Sequence, residues 1–199
     1  MFRKTLLAGS LAAFAATSGA ATFTAPTDVV AHTDEGLLTA ATTSAVTSNY
    51  GLVLGAEYAA NDVVTFTYSV ALDAEYDMSG SSFVCDNNNG AGASDTVNFG
   101  FIAQDNAAGT LQYRVTTIDD LDLATGVSSA NMTCVTPEVE LDAAALVAAS
   151  SAVMTFSAAT STNITLETIA TGVAVATSAS AYSVTSQAAF DQTVDVDQD

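Results

Sequence analysis

The sequence predicts an all-β domain, an antiparallel β-sandwich of the Ig-like or jelly-roll-like kind, and three observations carry the prediction. Apolar side chains fall on every second residue in well-separated stretches: Val64, Phe66, Tyr68 and Val70 alternate with Thr65, Thr67 and Ser69, and Val97, Phe99 and Phe101 alternate with Asn98 and Gly100. Successive side chains of an extended chain point to opposite faces, so this pattern describes strands with one face in a core and one in water. From Val153 onward, runs rich in Val, Ile and Thr recur at spacings of about 8 to 12 residues, as strands of a sandwich or barrel do. Helical patterning is confined to residues 142–149, where Asp142 can cap a turn or two of Ala and Leu.

Residues 1–20 read as a secretory signal peptide: Arg3 and Lys4 precede an apolar run from Leu6 to Ala16, and the small residues Ser18, Gly19 and Ala20 follow. The run is well short of the roughly 20 residues that span a bilayer. Cleavage is expected after Ala20, with Ala21 as the next choice, leaving residues 21–199 as a single domain. Export of this kind removes two of the three basic residues and no acid. The net charge moves from −19 to −21, and Arg114 alone faces 22 acids. No basic stripe remains to replace phosphate counterions, which excludes nucleic acid as a partner and, on the same ground, an anionic membrane surface.

The elements follow in order. Thr22–Thr24 and Val29–Ala31 are expected as short edge strands around Pro26, where a proline is tolerated. The stretch Asn49–Leu72 is expected to fold as a hairpin, Gly51–Leu54 pairing through the connection Gly55–Asp62 with the strand that starts at Val63. Asp73, Glu75 and Asp77, again at period two, would continue that strand and project their carboxylates to one side, blunting an edge. Ser79–Asp95 reads as a polar loop tied down at Cys85.

A second hairpin joins Val97–Phe101 to Leu111, Tyr113, Val115 and Thr117 through Gln104–Thr110, with Arg114 on its polar face. Ile118–Cys134 reads as a loop or short strand, and Val139 with Leu141 marks another strand. The last strands are Val153–Ser157, Ile164–Ile169, Val173–Ala176, Tyr182–Thr185 and Thr193–Val196, with Gly172 between two of them. The closing VDVDQD fits a final edge strand and equally a chain that continues. Cys85 and Cys134, the two cysteines, are expected to form a disulfide in an oxidising compartment.

Catalytic residues are not expected. His32 is the sole histidine, no GxSxG elbow offers a nucleophile, and with 22 acids some carboxylate pair is inevitable, so a pair says nothing about glycoside hydrolysis. Calcium is the one cofactor the composition can accommodate, because Asp, Asn and loop carbonyls supply hard oxygen ligands. Asp86–Gly90 fails the EF-hand test: setting Gly90 at the obligatory glycine puts Cys85 and Thr96 at the first and last ligand positions, where carboxylates are needed. Asp119, Asp120 and Asp122 are the calcium candidates that remain. A sugar-binding face would use Tyr50, Tyr58, Tyr76 or Tyr182, since Tyr68 and Tyr113 occupy core positions and there is no Trp. The Asn131-Met132-Thr133 and Asn163-Ile164-Thr165 triplets fit a glycosylation pattern but read as chance beside a bacterial-type signal.

The segment LVLGAEYAANDVVTFTYS, residues 52–69, with Gly55 and Asn61-Asp62 before an alternating strand, resembles segments of uncharacterised exported β-rich surface proteins of marine-type bacteria. The resemblance implies an envelope or extracellular structural role and brings no functional residue with it. The expected function is a non-catalytic extracellular or cell-surface structural protein. Copies of it, or other envelope components, would assemble into a layer, filament or adhesive coat through strand-edge contacts. Two alternatives stand beside it: a calcium-assisted ligand- or carbohydrate-binding module of a secreted protein, and an outer-membrane β-barrel.

Overall fold

Alternation in sequence becomes alternation in burial. The computed structural model describes residues 20–24, 42–87, 95–119 and 130–178. In β4 (Val63–Tyr68), Val64, Phe66 and Tyr68 are buried while Val63, Thr65 and Thr67 stay half-buried on the other face. Flanking strands obey the same rule. β6 (Thr96–Asp105) buries Val97 and Phe99, β7 (Thr110–Asp119) buries Leu111, Tyr113 and Val115, and β10 (Ser151–Ala159) buries Ala152, Met154, Phe156 and Ala158.

The other elements are β1 (Thr22–Thr24), β2 (Ser44–Val46), β3 (Gly51–Val53), β5 (Ser82–Asp86), β8 (Thr133–Val135), β9 (Glu140–Asp142), α1 (Ala143–Ala149) and β11 (Thr165–Thr177). The fold is all-β and antiparallel with one short helix. Nine strands form one sheet in the order β1-β3-β8-β5-β6-β7-β4-β10-β11, and β2 pairs with β9 in a second, two-stranded sheet. The large sheet rolls into a nearly closed, barrel-like form. Phe23 on β1 meets Phe156 on β10 with ring centroids 6.3 Å apart, and Ser48 N donates to Val175 O on β11 at 3.2 Å.

Inside the roll lies a chain of aromatic rings. Phe66 is tilted against Phe156 at 5.5 Å and lies edge-on to Phe83 and Tyr113 at 5.9 and 6.2 Å, and Phe83 stacks on Phe99 at 4.5 Å. Burying each such side chain contributes about 1.5–3 kcal/mol, and the favourable ring pairs add roughly 0.5–1.5 kcal/mol each. The helix forms where expected: Asp142 takes extended backbone angles, and its side chain accepts from Ala145 N at 2.6 Å, so an otherwise orphaned N–H is satisfied.

Four expectations are corrected by the structure. β3 and β4 both exist but do not pair; β3 lies between β1 and β8, and β4 between β7 and β10. The eight-residue connection explains it, since unlike a two-residue turn it does not fix the register of its flanks. Its end is instead stitched to β7, with Asn61 N donating to Val115 O at 3.0 Å and Val115 N to Asp62 O at 2.9 Å. The acids Asp73, Glu75 and Asp77 do not extend β4. Tyr76 N reaches Asp73 O at 3.2 Å and Glu75 N reaches the Asp73 carboxylate at 2.9 Å, which closes a turn.

Ser79–Asp95 is not all loop. It contains β5, with Phe83 and Cys85 buried and Val84 exposed. Ile164–Ile169 and Val173–Ala176 belong to one strand, β11, which passes Gly172 with register shifts against β10. A Cβ on Gly172 would come within 2.9 Å of Val153 Cγ2, so the glycine marks close packing where a break was expected. Residues 1–19, Val29–Ala31, Tyr182–Thr185 and Thr193–Val196 lie outside the described residues.

Candidate assembly surface and acidic cleft

Cys85 on β5 and Cys134 on β8 form the expected disulfide, with Cα atoms 4.2 Å apart and a sequence separation of 49. The bond lies at a sparsely paired seam of the large sheet, since among the described residues β5 and β8 share a single ladder pair, Asp86 with Thr133. Just outside it, Val84 and Val135 stand 47 % and 57 % exposed, flanking a shallow groove of about 530 Å³ lined also by Gly51, Phe83 and Thr133. Two neighbouring strands thus carry apolar side chains outward at the point where their backbones are sparsely paired.

A second concavity lies elsewhere. It is an acidic cleft of about 820 Å³ lined by Thr42, Thr43, Ser44, Asp73, Ala74, Glu75, Tyr76, Asp77, Glu140 and Asp142. Several of its carboxylates are already used by the chain: Asp73 accepts from Glu75 N at 2.9 Å, Asp77 from Ser79 N and Oγ at 2.8 and 2.9 Å, and Asp142 from Ala145 N. The bonds from Ser79 hold Asp77 below the usual carboxylate range. Tyr76 donates to Glu138 O at 2.8 Å, and partial burial, chiefly, pushes its hydroxyl up to about 12. Among the described residues no three or more acidic, His or Cys side chains are grouped to hold a metal ion.

Of the calcium candidates, Asp119 ends β7, exposed, with Asn98 Nδ2 at 3.4 Å, while Asp120 and Asp122 lie outside the described residues. The tyrosines proposed for a sugar-binding face divide differently. Tyr50 and Tyr58 are core residues at 1 % and 5 % exposure, Tyr76 is half-buried, and Tyr182 lies outside the described residues. Tyr50 packs edge-on to Phe23 and Tyr58 to Phe99, which leaves neither ring for a ligand. Asn131 and Asn163, the asparagines of the two glycosylation triplets, take left-handed φ values of 74° and 63°, so turn geometry accounts for both.

Three acids are buried among the described residues: Asp95, 8 % exposed and bonded by Asn87 Nδ2, and two more that escaped sequence reading. Asp62 is 3 % exposed and caps the turn before β4, accepting from Ala59 N at 2.8 Å and Ser161 N at 3.1 Å. Glu167 is 8 % exposed and accepts from Tyr58 Oη at 2.5 Å and Gly55 N at 2.9 Å. Burial raises the Glu167 carboxyl above its ordinary range in spite of these bonds, and it drives the Tyr58 hydroxyl upward too. In sequence both look like ordinary polar-face acids; only the faint anomaly of an acid facing inward between Leu166 and Ile169 marks Glu167.

These features define a structural class: an all-β, strongly acidic, disulfide-pinned domain whose outward surfaces are strand edges and a small apolar seam. The family model for S-layer protein Slr4 matches residues 62–199, and the chain belongs to that family. No curated protein and no solved structure matches it. Membership makes this a cell-surface structural protein of a layer-forming family.

Proposed function

We propose that the exported chain builds a surface layer from copies of itself, as a non-catalytic component, through contacts at the ends of its large sheet and at the β5–β8 seam. The family match is the observation that carries this reading. Physical support comes from the topology. β1 and β11 each have one strand partner among the described strands, so each presents an edge of backbone donors and acceptors that a neighbouring chain can extend. The exposed Val84 and Val135 add a small apolar contact between those edges in the sheet order.

The packing argues against the outer-membrane barrel. Such barrels face lipid with their apolar side chains, whereas here Phe66, Phe83, Phe99, Tyr113 and Phe156 fill the interior and Thr65, Thr67, Asn98, Gln112 and Arg114 point away from it. Asp119, Asp120 and Asp122 are retained as the calcium set within the layer proposal, because cations would offset repulsion between copies as acidic as these. Size-exclusion chromatography of residues 21–199 with and without millimolar calcium tests the reading. Species much larger than a monomer are expected under at least one condition, and a monomer under both would contradict it.

A further inference from the structure

The carboxylate of Glu167 ties together parts of the chain that lie at opposite ends of the sheet. Besides accepting from Tyr58 Oη and Gly55 N, it lies near enough to the backbone N–H of Ala21, immediately before β1, for that group to lower its pKa, and Thr22, the next residue, pairs with Val53, two residues before Gly55. β1 is the first strand in the sheet order and β11, which carries Glu167, is the last. Ala21 is 5 % exposed, whereas Ala20 is exposed, so the chain passes from solvent to interior between these two residues. That is also where the sequence places the signal-peptide cut.

A buried carboxylate that has donors but no cation keeps most of its desolvation cost. Among the described residues Arg114 is the one basic side chain. Lys4 is the sole lysine of the sequence, and Arg114 is exposed on β7, which neighbours β6 and β4 and not β11. We propose that the counter-charge is the α-amino group of Ala21, created when signal peptidase hydrolyses the Ala20–Ala21 bond, and that Glu167 is the receptor for this new N-terminus. Hydrolysis consumes one water; Ala20 leaves with the carboxylate and Ala21 keeps the nitrogen, which takes up a proton, since free α-amines have pKa values of about 7.7–8.0. The nitrogen already stands at Glu167 as a neutral amide. Processing changes its charge and leaves its place unaltered.

The consequence is a latch that forms only in the processed chain. The precursor closes its sheet across an uncompensated acid, and the mature protein closes it across an ion pair, with Phe23 seated on Tyr50 and Phe156 beside it. A cut one residue later would remove the nitrogen from the pair. Full closure is thereby tied to export. This inference rests on the export reading and is independent of whether layers form.

The absence of lysine after Lys4 makes the test selective, because the α-amine is then the one primary amine of the mature chain. Three proteins are compared with an amine-acylating reagent: one starting at Ala21, one starting at Ala20, and the Ala21 form carrying Glu167→Gln. The native Ala21 form should acylate at least about tenfold more slowly than the same chain in urea, the effect of one pKa unit on the free-amine fraction. The Ala20 form should react at close to the unfolded rate, and Glu167→Gln should restore fast reaction. Equal native and unfolded rates for the Ala21 form, or equal protection with and without Glu167, would overturn the proposal. A mature N-terminus other than Ala21, read by mass spectrometry after export, would overturn it as well. Should Glu167→Gln fail to fold, melting of the other two proteins decides: the Ala21 form should melt higher, and identical melting refutes the latch.

Discussion

At the scale of single residues, two buried polar groups are treated differently by the fold. Tyr68 Oη is buried with no hydrogen-bond partner among the described residues, and desolvation raises its pKa. An unsatisfied buried hydroxyl costs roughly 1–3 kcal/mol, so Tyr68→Phe, which keeps the ring and deletes the oxygen, should leave stability unchanged or raise it by about 1 kcal/mol. Urea denaturation of the variant checks this; a loss of stability would mean the hydroxyl has a partner.

Among the described residues Glu167 has hydrogen-bond partners but no cation beside it. Its carboxyl is raised above the ordinary value of 4.5, first by burial, while the bonds from Tyr58, Gly55 and Ala21 act to lower it. The sign follows from linkage. A group with a raised folded pKa contributes stability that is complete below its unfolded pKa and is lost as pH rises through the folded one. The titratable groups beside it are Tyr58 and, through Tyr58, Asp62, and both lie on the β3–β4 connection. The precursor-type chain should therefore lose stability as pH rises above the ordinary carboxyl value of 4.5 and through the raised folded one, and Glu167→Gln should flatten that slope in a series of urea midpoints.

At the scale of elements, turns and one covalent bond hold the large sheet to its register. The β6–β7 hairpin turns at Gly109 with φ of +65°, and a Cβ there would lie 2.5 Å from Val70 O and 2.7 Å from Tyr68 O. Those carbonyls belong to the end of β4 and the residues after it, so the turn also stops β4. Gly109→Ala should cost more than about 2 kcal/mol, from backbone strain and the clash together, and a fall in melting temperature reads it. The disulfide spans a sequence separation of 49 at a seam with one ladder pair. Replacing both cysteines with serine should cost about 4 kcal/mol on the chain-entropy account. Hydrogen exchange should rise first in β5 and β8; a rise spread evenly over the sheet would count against the seam as the weak point.

Elements also show what the sequence could convey. Strands with regular alternation, β4, β6, β7 and β10, were legible because burial of one face is a period-two property that composition alone reveals. The helix cap was legible because it is local. Pairing was not. The partner of β3 depends on Asn61 and Asp62 bonding to Val115, fifty-odd residues away in the chain and invisible to any local pattern. β5 was hidden by the Asn- and Gly-rich stretch around it, although Phe83 and Cys85 alternate, because Cys was read for its bond and not as the buried side chain it also is. Glu167 was illegible for a different reason: a buried acid becomes recognisable only when its donors, Gly55 and Tyr58 on the β3–β4 connection, are known.

At the scale of the whole molecule, charge sets the terms of assembly. A chain with 22 acids and, after residue 20, Arg114 as its single Lys or Arg repels its copies, and screening length falls to roughly 8 Å at physiological ionic strength. Strand-edge contacts act at shorter range than that, so association should strengthen with salt and with divalent cations. The same charge discourages contact with nucleic acid and anionic lipid. A rolled sheet with an aromatic interior and a polar exterior suits a building block that must stay folded in water while its edges meet neighbours.

Negative-stain electron microscopy of the purified chain starting at Ala21, at physiological salt with and without calcium, tests this account most directly. Ordered sheets with a repeating lattice are the predicted result, lost when Val84 and Val135 are both changed to Asp. Dispersed single particles at every protein concentration and both calcium levels would contradict it.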